Sequence, residues 1–238
     1  MEIYENESLK IIQDKNKIMY KIIFNHNNPI LIRSLIKTRL IKTGTVTDDY
    51  TMIQFKAISV TSLQNFIEQH KFDRGFSKMN INVAAKMVAD LTRQLEYLIK
   101  NENHTIIGYS PENIIVIDGC KFAFLGSDLV VDLDSERKEL VTISSPFKVT
   151  DFFASPEMLK IRVLPSYVHY KTSYFSLGCL LLYALNGNDD FYKEYVIDGN
   201  CKKIKECLNQ LSFKNTKLYW LLSRCLVEEP QERNILFI

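Results

Sequence analysis

Tyr109-Ser110-Pro111-Glu112-Asn113-Ile114-Ile115-Val116-Ile117-Asp118-Gly119-Cys120-Lys121-Phe122-Ala123-Phe124-Leu125-Gly126 is the stretch on which the fold turns. Ile114 to Ile117 and Lys121 to Leu125 are short apolar runs, and Asp118-Gly119 between them is a tight-turn pair, so the segment reads as a β-hairpin. Upstream, Val83, Ala84, Met87, Val88, Leu91, Leu95 and Leu98 recur at steps of three and four, the clearest amphipathic helix in the chain. Downstream, residues 127–154 keep no sustained period and read as a long loop. Residues 173–185 are apolar nearly all round, which implies a buried helix, with Cys179 in it as an inert small hydrophobe. Two more helices are expected near 201–211 and 216–226, the second carrying Trp220 as a core residue.

The opening quarter differs in character. Residues 9–12 and 18–24 read as two strands around a polar break. Asn28-Pro29 then offers a helix start, Ile32, Leu35, Ile36 and Leu40 follow at helical spacing, and Gly44 is a plausible stop. Asp48-Asp49 marks a turn, residues 51–60 a strand or strand pair, and residues 62–69 a short helix with Thr61 as N-cap. The organisation is therefore α+β: a small β-rich part over 1–58 and a larger helical part over 59–238.

Composition narrows the classes. With 238 residues, 46% hydrophobic and 24% charged, the chain is an ordinary folded polypeptide, neither a disordered tail nor a disulfide-stapled miniprotein. Lys plus Arg is 30 against 28 for Asp plus Glu, so no global charge drives it to nucleic acid or acidic lipid. Five cysteines include no C-x-x-C pair and four histidines have no ligand spacing, which argues against zinc and for a reducing, cytoplasmic setting. The acidic start lacks the pattern of a signal peptide, and the longest apolar run, 177–185, is far too short to span a bilayer. Ile, Lys and Asn together supply 65 residues, a bias that points to an AT-rich virus or parasite.

Five segments, in order and sensibly spaced, resemble the protein kinase domain. Residues 109–116 look like the tail of the catalytic loop, with Asn113 at the metal-binding asparagine. Residues 121–126 fall where D-F-G should sit. Ser155-Pro156-Glu157 resembles A-P-E, and Phe175-Ser176-Leu177-Gly178 with Leu185-Asn186-Gly187 resembles the central buried helix. Glu229-Pro230-Gln231-Glu232-Arg233 resembles the late D-P-x-x-R, whose Arg pairs with the A-P-E Glu, here Arg233 and Glu157. The resemblance covers roughly residues 50–236 and implies a bilobal kinase-like fold.

It also implies that the chemistry is gone, because kinases depend on a few carboxylates and a lysine for positioning and charge. The catalytic aspartate position falls on Gly108, the loop lysine on Ser110 and the D-F-G aspartate on Phe124, and no Asp lies between Asp90 and Asp118. The aspartate that opens the buried helix falls on Ser173. The first glycine is Gly44, so no Gly-rich loop can cover phosphates. Lys21 is the best match to the phosphate-holding lysine, with a solvent-facing strand lysine as the alternative, since residues 15–47 contain no acid to pair with it. Asn113 likewise reads as structural without a second oxygen ligand. The expectation is a pseudokinase that works by protein contacts as scaffold, decoy or regulator. No cofactor or metal is expected, with ATP as a retained structural ligand left open.

The unabsorbed feature is charge. Lys15, Lys17, Lys21, Arg33, Lys37, Arg39 and Lys42 occur with no acid among them, and Arg33, Lys37, Arg39 and Lys42 read either as a solvated helix face whose counter-charges come from elsewhere in the fold or as a docking surface on and after the first helix. The expected partner is a protein, with an active kinase or a host signalling protein as candidates. Nucleic acid is the lesser reading, as is a divergent active kinase using Asp128, Glu102 or Glu112. Residues 127–154, with Asp132, Asp134, Glu136 and Glu139, form a second candidate surface of opposite sign.

Overall fold

Alternation along the early strands builds a sheet with one buried face. The computed structural model describes residues 2–5, 8–15, 18–69, 79–187 and 189–235; Lys17 of the basic series lies outside them. Strands β1 (Glu2–Glu5), β2 (Leu9–Gln13), β3 (Met19–Phe24), β4 (Gly44–Val46) and β5 (Met52–Lys56) form an antiparallel sheet in the order β1-β2-β3-β5-β4. In β3, Tyr20, Ile22 and Phe24 are buried, while Met19, Lys21 and Ile23 occupy the other, half-exposed face. The opening strand β1 carries no clean alternation in E-I-Y-E and was not expected from the sequence.

Helix α1 (Pro29–Lys37) lies between β3 and β4 in the chain, with Pro29 in its first turn, where a missing N–H costs nothing. Asn28 holds the cap position without a side-chain cap bond. The helix ends well before Gly44. The Thr38 hydroxyl donates to the Ser34 carbonyl at 2.6 Å, and Arg39 turns left-handed (φ 60°). Leu40, expected on the helix, is buried in the loop that follows.

Residues 51–60 divide between two sheets. Strand β6 (Val60–Ser62) pairs not with β5 but with β8 (Ile114–Ile117), which pairs in turn with β9 (Lys121–Phe124). The switch falls at 57–59, where the sequence changes character. Helix α2 (Leu63–Gln69) is capped by Ser62, whose hydroxyl accepts from the Asn65 N–H at 3.2 Å, in the role assigned to Thr61. Helix α3 (Ile81–Tyr97) starts at Asn80, whose side chain accepts from Asn82, and runs into a π-helical turn, Leu98–Glu102, closed by left-handed Asn103.

The stretch read as a loop over 127–154 contains two strands. With β7 (His104–Ile106) pairs β10 (Val130–Asp132), and β11 (Leu140–Ile143) pairs with β12 (Ser166–His169). Each is three or four residues long, too short to show a period. Helices α4 (Pro156–Leu159), α5 (Thr172–Asn186), α6 (Asp190–Asp198), α7 (Lys202–Gln210) and α8 (Lys217–Cys225) complete an α+β chain. Trp220 is not core: it is half exposed on α8, edge-on to Tyr219. One continuous cluster of buried apolar side chains runs from Leu9 to Ile235, through the five-stranded sheet and the helices alike. Among the described residues, no helix is long and apolar enough to cross a membrane.

Candidate functional site

The loop between β7 and β8 is held from two sides. The Tyr109 N–H donates to Ser176 Oγ on α5 at 2.7 Å, and its carbonyl accepts from the Phe153 N–H at 2.9 Å. At Gly108, a Cβ would lie 2.0 Å from Cδ2 of the Phe152 ring, so the chain passes this ring only as glycine. Ser110 is buried, and its hydroxyl has no hydrogen-bond partner among the described residues.

Phe124, at the end of β9, has no exposed surface and meets the buried Tyr109 ring edge-to-face at 5.3 Å. Its backbone is clamped by one side chain of α3: the Phe124 N–H donates to Gln94 Oε1 at 2.9 Å, and Gln94 Nε2 donates to the Phe124 carbonyl at 3.0 Å. Gln94 Nε2 also donates to the Ser34 hydroxyl of α1 at 3.0 Å. Burial holds the Tyr109 phenol well above its ordinary range, so it stays neutral. Asn113 faces Gly126, where a Cβ would come within 3.0 Å of its side chain. The Asn113 carbonyl accepts from the Leu125 N–H at 2.8 Å, and its side chain has no hydrogen bond among the described residues.

Above this floor, the five-stranded sheet is tied to the hairpin region by side-chain hydrogen bonds, and a cavity of about 440 Å³ lined by Ser8, Phe24, Asn28, Ser127 and Asp128 among others lies between the sheet and the segment after β9. Tyr20 of β3 is 2% exposed and stacks on Phe55, with centroids 6.1 Å apart. Its hydroxyl accepts from Gln13 at 2.7 Å and donates to the Ile58 carbonyl at 3.4 Å. The N–H groups of Ile58 and Ser59, in the crossing between β5 and β6, both donate to Asp118 Oδ1, at 2.6 and 3.1 Å. Two further ties close the front: Tyr4 donates to the Glu112 carbonyl at 2.8 Å, and Ser8 to Asp128 Oδ2 at 2.5 Å. Burial is the main cause that raises the Tyr20 phenol, which keeps it a neutral donor.

The candidate basic residues part company. Lys21 sits on the half-exposed face of β3, opposite Gln54 and Ile12, turned from the buried Tyr20 and Ile22. Arg33 is not free: Nε and one terminal nitrogen donate to the two oxygens of Glu102, at 2.9 and 2.6 Å. Tyr97 adds a third hydrogen bond to Glu102 at 2.9 Å. The Arg33 guanidinium holds the Glu102 carboxyl below its ordinary 4.5. Arg33 is therefore a strut between α1 and the end of α3, and its counter-charge comes from 69 residues away. Lys37, Arg39 and Lys42 are exposed and make no ion pair among the described residues.

Arg233, fully buried, meets Glu157, whose side chain is 18% exposed. The guanidinium donates to both Glu157 oxygens, at 2.5 and 2.7 Å, and to the carbonyls of Val227, Glu228 and Lys171 at 2.8, 2.6 and 3.3 Å. It lies 5.0 Å from the Phe175 ring and has no exposed surface. Ser173 serves only its own helix start, donating to the Tyr170 carbonyl at 2.9 Å. Burial pushes the thiol of Cys225 up to about 12 and those of Cys201 and Cys207 up to about 11, so none is a ready nucleophile.

Sequence reasoning missed Tyr20, Gln94, Phe152 and Ser176, the side chains that shape this region. Gln94 and Asp90, four apart on the apolar face of α3, were the available signal, since a buried polar pair at that spacing requires partners. No protein-family model matches the chain, and no curated protein matches it either.

Proposed function

We propose that this chain is a catalytically silent domain of the protein kinase type, which acts through contacts with another protein and not by phosphoryl transfer. Three features support the fold. A five-stranded antiparallel sheet has its helix inserted after the third strand. A β-hairpin follows a long helix, and Glu157 meets Arg233 across 76 residues. The observation that carries the functional reading is the burial of Tyr20 and Phe124, 2% and 0% exposed, each held by hydrogen bonds. On the kinase reading, the buried Tyr20, which bonds the Ile58 carbonyl, would take the room of a stacked base, and the buried Phe124 would take the position of a metal-binding carboxylate. Neither position offers an oxygen pair to a hard cation. Glu102 is committed to Arg33, so one of the three carboxylates a displaced mechanism could recruit is occupied. A reducing, cytoplasmic setting fits five free cysteines, four of them buried. The test is incubation with radiolabelled ATP, Mg²⁺ or Mn²⁺ and a generic substrate such as myelin basic protein. No incorporation above a blank is expected, and turnover that scales with enzyme concentration overturns the reading.

A further inference from the structure

Strands β10 and β11 meet once and then part. Leu133 and Val141 form a single antiparallel bridge, and beside it the Asp134 N–H donates to the Leu140 carbonyl at 2.9 Å. Carried on, that register would set Asp132 against Thr142, Val131 against Ile143 and Val130 against Ser144, yet no further bridge forms among the described residues. A groove of about 480 Å³ lies there instead, with those six residues in its walls. Strand β7 takes the far edge of β10 and β12 the far edge of β11, so the edges that border the groove are the ones left over. The floor is apolar: Ile107, Leu133 and Ile143 are each no more than 5% exposed.

Charge marks the groove as well. Asp128, Asp132 and Asp134 line it, and no Lys, Arg or His does. Among the described residues, the one ion pair of the three joins Asp132 to His104 at 3.0 Å, with 83% of the Asp132 side chain still in water. Asp128 accepts from the Ser8 hydroxyl, which leaves its charge uncancelled. Asp134 accepts the N–H groups of Arg137 and Glu136, at 2.7 and 3.0 Å, and these bonds hold its carboxyl below the ordinary range. Charges of one sign on a strand edge deter a second copy of the same edge and admit a strand of opposite sign.

We infer that the groove between β10 and β11 docks an extended, basic segment of a partner protein. Its backbone pairs with the free strand edges, alternate apolar side chains rest on Ile107, Leu133 and Ile143, and lysines or arginines meet Asp128 and Asp132. Each part of the occupant answers one feature: unpaired edges select extended backbone, the floor selects apolar groups, and the aspartates select cations. Asp134 takes a lesser part, because its bonds to Arg137 and Glu136 hold the turn. The inference rests on the reading above in one respect, that the chain works through protein contacts.

The experiment uses the full chain and a fluorescein-labelled peptide in which lysine alternates with valine. Two counterparts serve as controls, one with glutamate for lysine and one N-methylated at alternate amides. Fluorescence anisotropy should show saturable binding of the lysine peptide, weakening as salt rises. The glutamate peptide should not bind, and the N-methylated one should bind at least about tenfold more weakly, because it cannot pair with a strand edge. Asp128→Asn/Asp132→Asn changes two exposed side chains without changing their size and should weaken binding at least about tenfold. No saturable binding, equal binding of the N-methylated peptide, or binding untouched by the double substitution overturns the docking site. A dimer in sedimentation that the lysine peptide dissolves overturns the choice of occupant in favour of a second copy. Phosphate transfer by the same preparation overturns the silent-domain reading and leaves the docking result standing, so the two failures are distinguishable.

Discussion

Two bidentate arginine–glutamate pairs hold this molecule, Arg33 through Nε and one terminal nitrogen and Arg233 through both terminal nitrogens, and they differ in how deeply the arginine lies. Arg233 and Glu157 meet in the interior: the arginine side chain has no exposed surface, three backbone carbonyls take its remaining hydrogens, and Phe175 lies 5.0 Å from its carbon centre. Arg33 and Glu102 meet at a surface seam, with 39% of the arginine side chain still in water. The chemistry is alike and the consequence of a break is not. The two carboxylates are buried to a similar degree, with 18% of the Glu157 side chain and 10% of the Glu102 side chain exposed, so the difference lies in the arginine. Losing Arg233 empties a fully buried site and strips three carbonyls, whereas losing the part-exposed Arg33 admits water and leaves Tyr97 bonded to Glu102. One pair is an anchor of the helical part; the other is a strut that fixes α1 against α3.

The comparison can be broken in order of size. Arg233→Ala should cost about 3–5 kcal/mol, roughly ten degrees in a thermal melt of a domain this large. Arg233→Lys should rescue little of it, since an ammonium cannot serve two carboxylate oxygens and three carbonyls in one plane. Next comes Tyr20→Ala, expected to cost about 3 kcal/mol by denaturant titration for the cavity it leaves beside Phe55. Gly108→Asp should cost about 1–3 kcal/mol, because its Cβ would enter the Phe152 ring. It should also create no activity in a radiolabelled phosphate assay. Arg33→Ala should cost about 1 kcal/mol, discounted for the solvent around it.

That last effect carries a pH signature. The folded Glu102 carboxyl titrates below its ordinary 4.5, so the strut stabilises the fold above about that pH. The contribution is lost as pH falls through the lower folded value. The stability gap between wild type and Arg33→Ala should therefore be full at neutral pH and close on acidification, measured by urea titration at each pH. A gap that widens in acid would contradict the strut.

Periodicity made α3 legible, the all-round apolar run made α5 legible, and Asp118-Gly119 gave away the hairpin of β8 and β9. What escaped was short or settled by distant partners. Strands β10 and β11 are too brief to show alternation, and the end of α1 was decided by Thr38 and Arg39 and not by Gly44. Arg33 looked unpaired because its acid lies 69 residues away, beyond any local reading of charge. Of the candidate site, the sequence marked the stretch of Gly108, Ser110 and Phe124, yet nothing in that stretch shows which distant side chains hold it. Tyr20, two positions from the apolar Ile18 in a strand that reads simply as β, is buried through contacts with Gln13, Phe55 and Ile58.

The proposal that Tyr20 and Phe124 leave no nucleotide site is the claim on which the rest depends, and a thermal melt with and without ATP and Mg²⁺ or Mn²⁺ tests it most directly. A ligand at a hundred times its Kd would add about 2.7 kcal/mol, a rise of several degrees for a domain of this size. No change in melting temperature at millimolar nucleotide is the expected result. A metal-dependent rise would mean that Tyr20 and Phe124 leave room for a nucleotide, and the account would fail at its centre.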